Sequence, residues 1–173
     1  DELWQRLRSK LKLTEEKKAQ HFLEPYNLDA EKPPRYYQTI AINKLIEAVL
    51  SGKKRNLLTL ATGTGKTSIA FQICWKLWNS HWNAAGIPGR KPRILFLADL
   101  NILVDDPKDK DFTPFGDARH KIGEDGSDKE PILSREMYFA IYQAIAADSR
   151  RPGLFRSFPR DFFDLVIVDE CHR

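Results

Sequence analysis

The residues from Asn56 to Ser68 constrain this chain more than any others. They read N-L-L-T-L-A-T-G-T-G-K-T-S, a short apolar run, a loop holding Gly63 and Gly65, and then Lys66-Thr67 opening an apolar helical pattern. A strand that feeds a glycine-containing loop ending in Gly-Lys-Thr is the phosphate-binding P-loop arrangement. Glycines reach positive φ at no steric cost and let backbone N–H groups approach a polyphosphate. The following helix offers its N-terminal dipole and unpaired amides to the anion. Lys66 can reach the β- and γ-phosphates of ATP, and the Thr67 hydroxyl can ligate Mg²⁺. The phosphate-cradling set is therefore Thr62, Gly63, Thr64, Gly65, Lys66, Thr67 and Ser68. Over so short a stretch, an ordinary glycine turn before a helix would look alike, so a second motif has to decide.

That motif ends the chain. Leu165-Val166-Ile167-Val168 is a continuous apolar run, suited to a parallel strand covered on both faces, and it delivers Asp169 and Glu170. Open α/β sheets bind ligands at the carboxyl edge of their strands. An Asp there can hold Mg²⁺ opposite Thr67. Glu170 is placed to orient and deprotonate an attacking water. A strand that merely ends in acids is weak by itself; joined to a P-loop upstream in the same sheet, it describes a nucleotide-binding site with Lys66, Asp169 and Glu170 as its candidate catalytic groups.

Between these ends, short apolar runs alternate with helical patterns. Ile40 to Leu50 carries Ile42, Leu45, Ile46 and Val49 on one helical stripe, stopped by Ser51-Gly52. Lys66 to Trp78 is apolar almost all round and should be buried on more than one side. Arg93 to Leu97 and Met137 to Ile141 read as strands, with a short strand also near His120 to Ile122. The region 107–136 is polar and otherwise poorly patterned. Asp1 to Glu24 carries Leu3, Trp4, Leu7 and Leu11 at helical spacing, and Pro25, Pro33 and Pro34 break the helix after it. The expected organisation is a helical connector, residues 1–34, followed by an α/β lobe with a mainly parallel sheet, residues 35–173.

With 173 residues the chain can bury one proper core. No apolar run is long enough for a membrane span, the first residues lack a signal-peptide layout, and Cys74 and Cys171 form no zinc or disulfide pattern. A cytoplasmic setting, with no membrane partner, follows as the expectation. The net charge of +4 permits a polyanionic partner without demanding one.

Two details give the chain a resemblance. Leu60 stands where the strict P-loop pattern has glycine, leaving A-T-G-T-G-K-T, and the distal motif is Asp169-Glu170-Cys171-His172-Arg173. Both look like the forms used by superfamily 2 helicases and translocases. Together with R-Y-Y-Q at 35–38, L-F-L-A-D-L-N-I-L-V-D at 95–105 and Y-F-A-I-Y-Q at 138–143, they resemble the motor subunit of type I restriction enzymes, from about Arg35 to Arg173. The resemblance implies a three-layer RecA-like P-loop NTPase lobe, the first of two, ending at motif II and so incomplete at its C-terminus. Gln38 would read the adenine edge, with Arg35, Tyr36 or Tyr37 stacking on the ring. Asn101, in the segment after Asp99, and Tyr142-Gln143 would face DNA. Leu100-Asn101 and Asp105-Asp106 leave the first of these segments less basic than the family pattern, and an ordinary strand-to-helix turn describes both segments nearly as well. His172 would couple ATP state to the second lobe.

The implied activity is ATP binding and, with the second RecA-like lobe, hydrolysis that drives translocation along double-stranded DNA, in company with methyltransferase and specificity subunits. The alternatives are another superfamily 2 helicase lobe, or a nucleotide-binding docking module without turnover of its own.

Overall fold

A computed structural model describes residues 2, 5, 6, 9, 16–28, 33–123, 133–145 and 154–169. It divides into two compact units, Asp1–Trp82 and Asn83–Arg173. Leu3, Trp4, Leu7 and Leu11, whose spacing suggested a first helix, lie outside the described residues.

The first unit is helical: α1 spans Glu16–Leu23, α2 Tyr36–Leu50 and α3 Lys66–Asn79. Pro33-Pro34 hold the chain extended up to Arg35 (φ −67°, ψ 154°), and the helix starts at the next residue. Its buried stripe is Gln38, Ile42, Ile46 and Leu50, one residue in four, so a polar side chain shares the apolar face. At its end, Gly52 N–H and Lys53 N–H donate to Val49 and Ala48 carbonyls, 2.9 and 3.0 Å, a Schellman closure. The end of α3 closes the same way. His81 and Trp82 N–H reach Trp78 and Leu77 carbonyls, and His81 takes the left-handed position (φ 56°) usually given to glycine. His81-Trp82 is thus helix-terminating geometry.

On α3, Ile69, Phe71, Ile73, Cys74 and Leu77 are buried, as the apolar pattern predicted. So are Gln72 and Lys76, which the pattern did not predict. Both turn to the segment 24–28. Gln72 pairs with Asn27 in both directions, accepting from its N–H at 3.0 Å and donating to its carbonyl at 2.6 Å. The Lys76 ammonium donates to the Glu24 carbonyl at 2.5 Å and lies 4.4 Å from the Tyr26 ring centre. Tyr26 in turn donates to Asn43 of α2 at 2.7 Å.

One expectation fails. The apolar run at 56–60 predicts a strand, but among the described residues it joins no ladder, and Leu57 is 80% exposed. A strand exists only where a neighbour takes up its N–H and C=O groups. Apolar composition supplies the faces of such a strand and none of its partners.

The second unit is built on a four-stranded sheet in the order β2-β3-β1-β4. The strands are β1 Ile94–Ala98, β2 Arg119–Lys121, β3 Met137–Ile141 and β4 Leu165–Val168, and every pair is parallel. The α/β class with a parallel sheet is as the sequence predicted. Phe96 is level with Phe139 on one side and Ile167 on the other, so alternate residues of β1 and β3 share faces. On one face Phe112 packs against Phe96 and Phe139 at 5.8 and 5.3 Å and stacks on Phe115 at 5.7 Å. On the other, Leu95, Tyr138 and Ala140 meet Phe158 and Phe162. Such aromatic pairs contribute about 0.5–1.5 kcal/mol each beyond their burial. No helix of the described residues is long and apolar enough to cross a membrane.

The loop entering β1 is fastened by one carboxylate. Asp164, its side chain 2% exposed, accepts from Arg90 Nη1 and Nη2 at 2.9 and 2.7 Å, from Ala84 N–H at 2.8 Å and from Arg93 N–H at 2.9 Å. Four donors on a desolvated carboxylate satisfy its charge without water.

Candidate nucleotide-binding site

In the first unit the glycine loop has the shape that the motif predicts. Gly63 and Gly65 have φ of 78° and 83°, and Gly65 sits in the left-handed region directly before Lys66, the first residue of α3. The Thr64 hydroxyl folds back to donate to the Ala61 carbonyl at 2.6 Å, and Ile69 N–H closes the first helical turn onto Gly65 at 3.1 Å. Thr64 N–H donates to the Ala61 carbonyl at 3.4 Å, and the amides of the helix start ahead of Ile69 are of the kind that a polyphosphate satisfies. Nothing lies within 4 Å of where a Cβ on Gly63 would stand, so an anion can come up to bare backbone there. Loop glycines, a helix N-terminus, the Lys66 ammonium and the Thr67 hydroxyl together form a donor set that fits a nucleoside triphosphate with Mg²⁺.

Arg35, Tyr37 and Gln38, singled out as adenine contacts, gather behind this loop. Gln38 Nε2 donates to the Thr64 carbonyl at 2.9 Å while its Oε1 accepts from Arg35 N–H at 2.8 Å. The second bond is the helix-end half of a capping box, with Gln at the third helical position. The Tyr37 hydroxyl donates to the same Thr64 oxygen at 3.2 Å and accepts from Arg35 Nη1 at 3.2 Å. Gly65 has to be glycine for this packing: a Cβ on it would stand 2.5 Å from Gln38 Nε2. The R-Y-Y-Q spacing carried a signal for the capping bond, but none for the meeting of Tyr37 and Gln38 on one carbonyl.

In the second unit, parallel pairing brings the carboxyl ends of β1, β3 and β4 to one edge. Asp99 and Asn101 follow β1, Tyr142 and Gln143 open α5 (Tyr142–Ile145) after β3, and Asp169 follows β4. Asn101 leads into α4 (Ile102–Asp106), and Val104 and Asp105 N–H donate to its carbonyl at 2.9 and 2.8 Å. Gln143 Nε2 reaches Asp99 Oδ1 at 3.4 Å, joining the two candidate DNA-facing segments. Asp169 N–H donates to the Leu97 carbonyl at 2.8 Å, which fixes its backbone at that edge. Glu170 and His172 lie outside the described residues.

Residues 31–173 match the family described as Type III restriction enzyme, res subunit. The chain is 50% identical over 148 residues to the Type I restriction enzyme EcoAI endonuclease subunit of Escherichia coli, an alignment covering 86% of this chain and 17% of that protein. It is 31% identical over 143 residues to the Type I restriction enzyme EcoKI endonuclease subunit of Escherichia coli strain K12, covering 80% of this chain and 11% of that protein. Among solved structures, a fragment assigned to the HsdR subunit of a type I restriction enzyme from Vibrio vulnificus YJ016 superposes with a TM-score of 0.79 at 52% identity, over 99% of this chain and 28% of the other. The chain thus spans well under a third of the proteins it is similar to.

Proposed function

The chain belongs to the res-subunit family of restriction enzymes, with type I R subunits among its relatives, and on that premise we propose that it is the ATP-binding part of a DNA-translocating motor. The supporting observation is the loop itself: two left-handed glycines that open directly onto the N-terminus of α3, with Lys66 in its first position. In this reading residues 35–173 belong to a first RecA-like lobe and residues 1–34 connect to it.

Bound Mg-ATP supplies the γ-phosphoryl group and the metal charge that offsets its oxygens. The chain supplies the groups around it. Thr62 to Ser68 hold the phosphates through backbone N–H groups, and Lys66 places its ammonium on the oxygens where charge develops. The Thr67 hydroxyl and the Asp169 carboxylate are the metal ligands that the motif pattern assigns. Glu170 takes the proton of the attacking water. Gln38, with Arg35, Tyr36 or Tyr37, forms the base side of the pocket, while Asn101, Tyr142 and Gln143 face the backbone of double-stranded DNA. Hydrolysis needs a second RecA-like lobe, with His172 coupling the two. Methyltransferase and specificity subunits are the partners that would direct the motor to a site, since a motor tracks phosphates and carries no base readout of its own.

The test is made on the full-length protein. Lys66→Ala weakens Mg-ATP binding by about 10- to 100-fold, the loss of a charged hydrogen bond. Glu170→Gln keeps binding and lowers DNA-stimulated turnover by about 10²- to 10⁴-fold. Normal turnover by Glu170→Gln refutes the assignment of the base. Strand separation in place of movement along intact duplex refutes the translocase.

A further inference from the structure

We propose that Tyr37 is a positioning residue, holding the phosphate loop in its anion-binding shape through its hydroxyl, and is not a stacking partner for the base. The inference rests on the nucleotide-binding reading above. It starts from the Thr64 carbonyl, which accepts from Tyr37 Oη at 3.2 Å and from Gln38 Nε2 at 2.9 Å. A carbonyl oxygen has two lone pairs, and both are used.

The peptide unit they hold is a soft one. It joins Thr64 to Gly65, and a glycine takes positive or negative φ with similar ease. The plane can therefore lie either way round without steric penalty. In a trans peptide the C=O and N–H point in opposite directions. Fixing the Thr64 oxygen toward α2 turns the Gly65 N–H away from α2, outward from the loop. Tyr37 and Gln38 thus select the orientation in which that N–H is offered to a phosphate, before any nucleotide arrives.

Arg35 strengthens the hold. Its Nη1 donates to Tyr37 Oη at 3.2 Å, so the phenol accepts from a cation while donating to the loop. A hydroxyl polarised in this way is a better donor. The same bonds keep the Tyr37 ring where it is, half-buried and edge-on to Tyr36 at 5.7 Å. Tyr36 is 80% exposed, and it presents the ring that is open to a base.

The experiment uses Tyr37→Phe in the full-length protein, which keeps the ring and removes only the hydroxyl. Binding is measured for Mg-ATP and for Mg-tripolyphosphate, a probe with no base, alongside steady-state hydrolysis. The expected result is an equal weakening of both ligands by about fivefold, the net value of one hydrogen bond. KM for ATP rises by the same factor. Unaltered tripolyphosphate binding, or weakening confined to ATP, overturns the proposal. Lys66→Ala is the control. If it loses ATP affinity while Tyr37→Phe matches the unaltered protein, the positioning role fails alone. If Lys66→Ala binds ATP normally, the nucleotide-binding reading fails and the proposal with it.

Discussion

Gly63 and Gly65 share a backbone conformation and differ in their surroundings, so alanine at each separates two costs. Both have φ near +80°, where alanine costs about 1–2 kcal/mol. At Gly63 the added methyl meets nothing within 4 Å. At Gly65 it would stand 2.5 Å from Gln38 Nε2, so the Gln38 amide has to leave. Leaving forfeits its bond to the Thr64 carbonyl and its bond from Arg35 N–H. At about 1 kcal/mol net for each bond, Gly65→Ala carries roughly 2 kcal/mol of extra cost, all of it at the start of α2. The readout is hydrogen exchange of the Arg35 amide at single-residue resolution, in nucleotide-free protein. Gly65→Ala should speed that exchange about 30-fold, and Gly63→Ala should leave it near its original rate. Equal acceleration by both variants, or none by Gly65→Ala, would refute the argument that Gln38 ties loop to helix.

Two further predictions concern buried charge. Asp164→Ala leaves Arg90 Nη1 and two backbone N–H groups without their acceptor, while Arg90 Nη2 keeps Asn83 Oδ1; it should lower the opening free energy of the β1 amides by about 3 kcal/mol, with Asp164→Asn recovering part, as read by native-state exchange. Burial lowers the pKa of Lys76 below its ordinary 10.5, with the nearby Glu24 carboxylate offsetting part of the shift. Between the folded value and 10.5 the unfolded chain binds the extra proton, so this group makes the first unit more stable as pH rises toward 10.5. Lys76→Met should flatten that rise in exchange measured against pH, and an unchanged slope would show that the ammonium is not desolvated.

Much of this was legible in the sequence because continuous apolar runs mark parallel strands. Met137 to Ile141 and Leu165 to Val168 form β3 and β4 at the predicted residues, and Arg93 to Leu97 is displaced by one in β1. The run at 56–60 looked no different, yet it forms no strand, because hydrogen-bond partners are not written into the strand that needs them. β2, Arg119–Lys121, is three polar residues long, and the short strand expected near His120 to Ile122 is displaced by one there. At the site, glycines and Lys-Thr announced the loop, and the motif strings announced the resemblance to type I R subunits that the comparisons bear out. The grouping of Tyr37 and Gln38 on one oxygen escaped, since residue type tells what a side chain can donate and leaves open where its tip lands. For the same reason the almost all-round apolar pattern of 66–78 gave no sign that Gln72 and Lys76 are its attachment points.

Those attachments have a mechanical meaning. Gln72 and Lys76 grip segment 24–28 one turn apart on the helix whose first residue is Lys66. At 1.5 Å per residue, the nearer grip is about 9 Å along the axis from that lysine. An α-helix under two turns of load hardly stretches, so it behaves as a stiff rod between the two points. A pull on segment 24–28 therefore acts directly on the helix that carries Lys66, through Gln72 and Lys76, and also on α2 through the Tyr26–Asn43 bond.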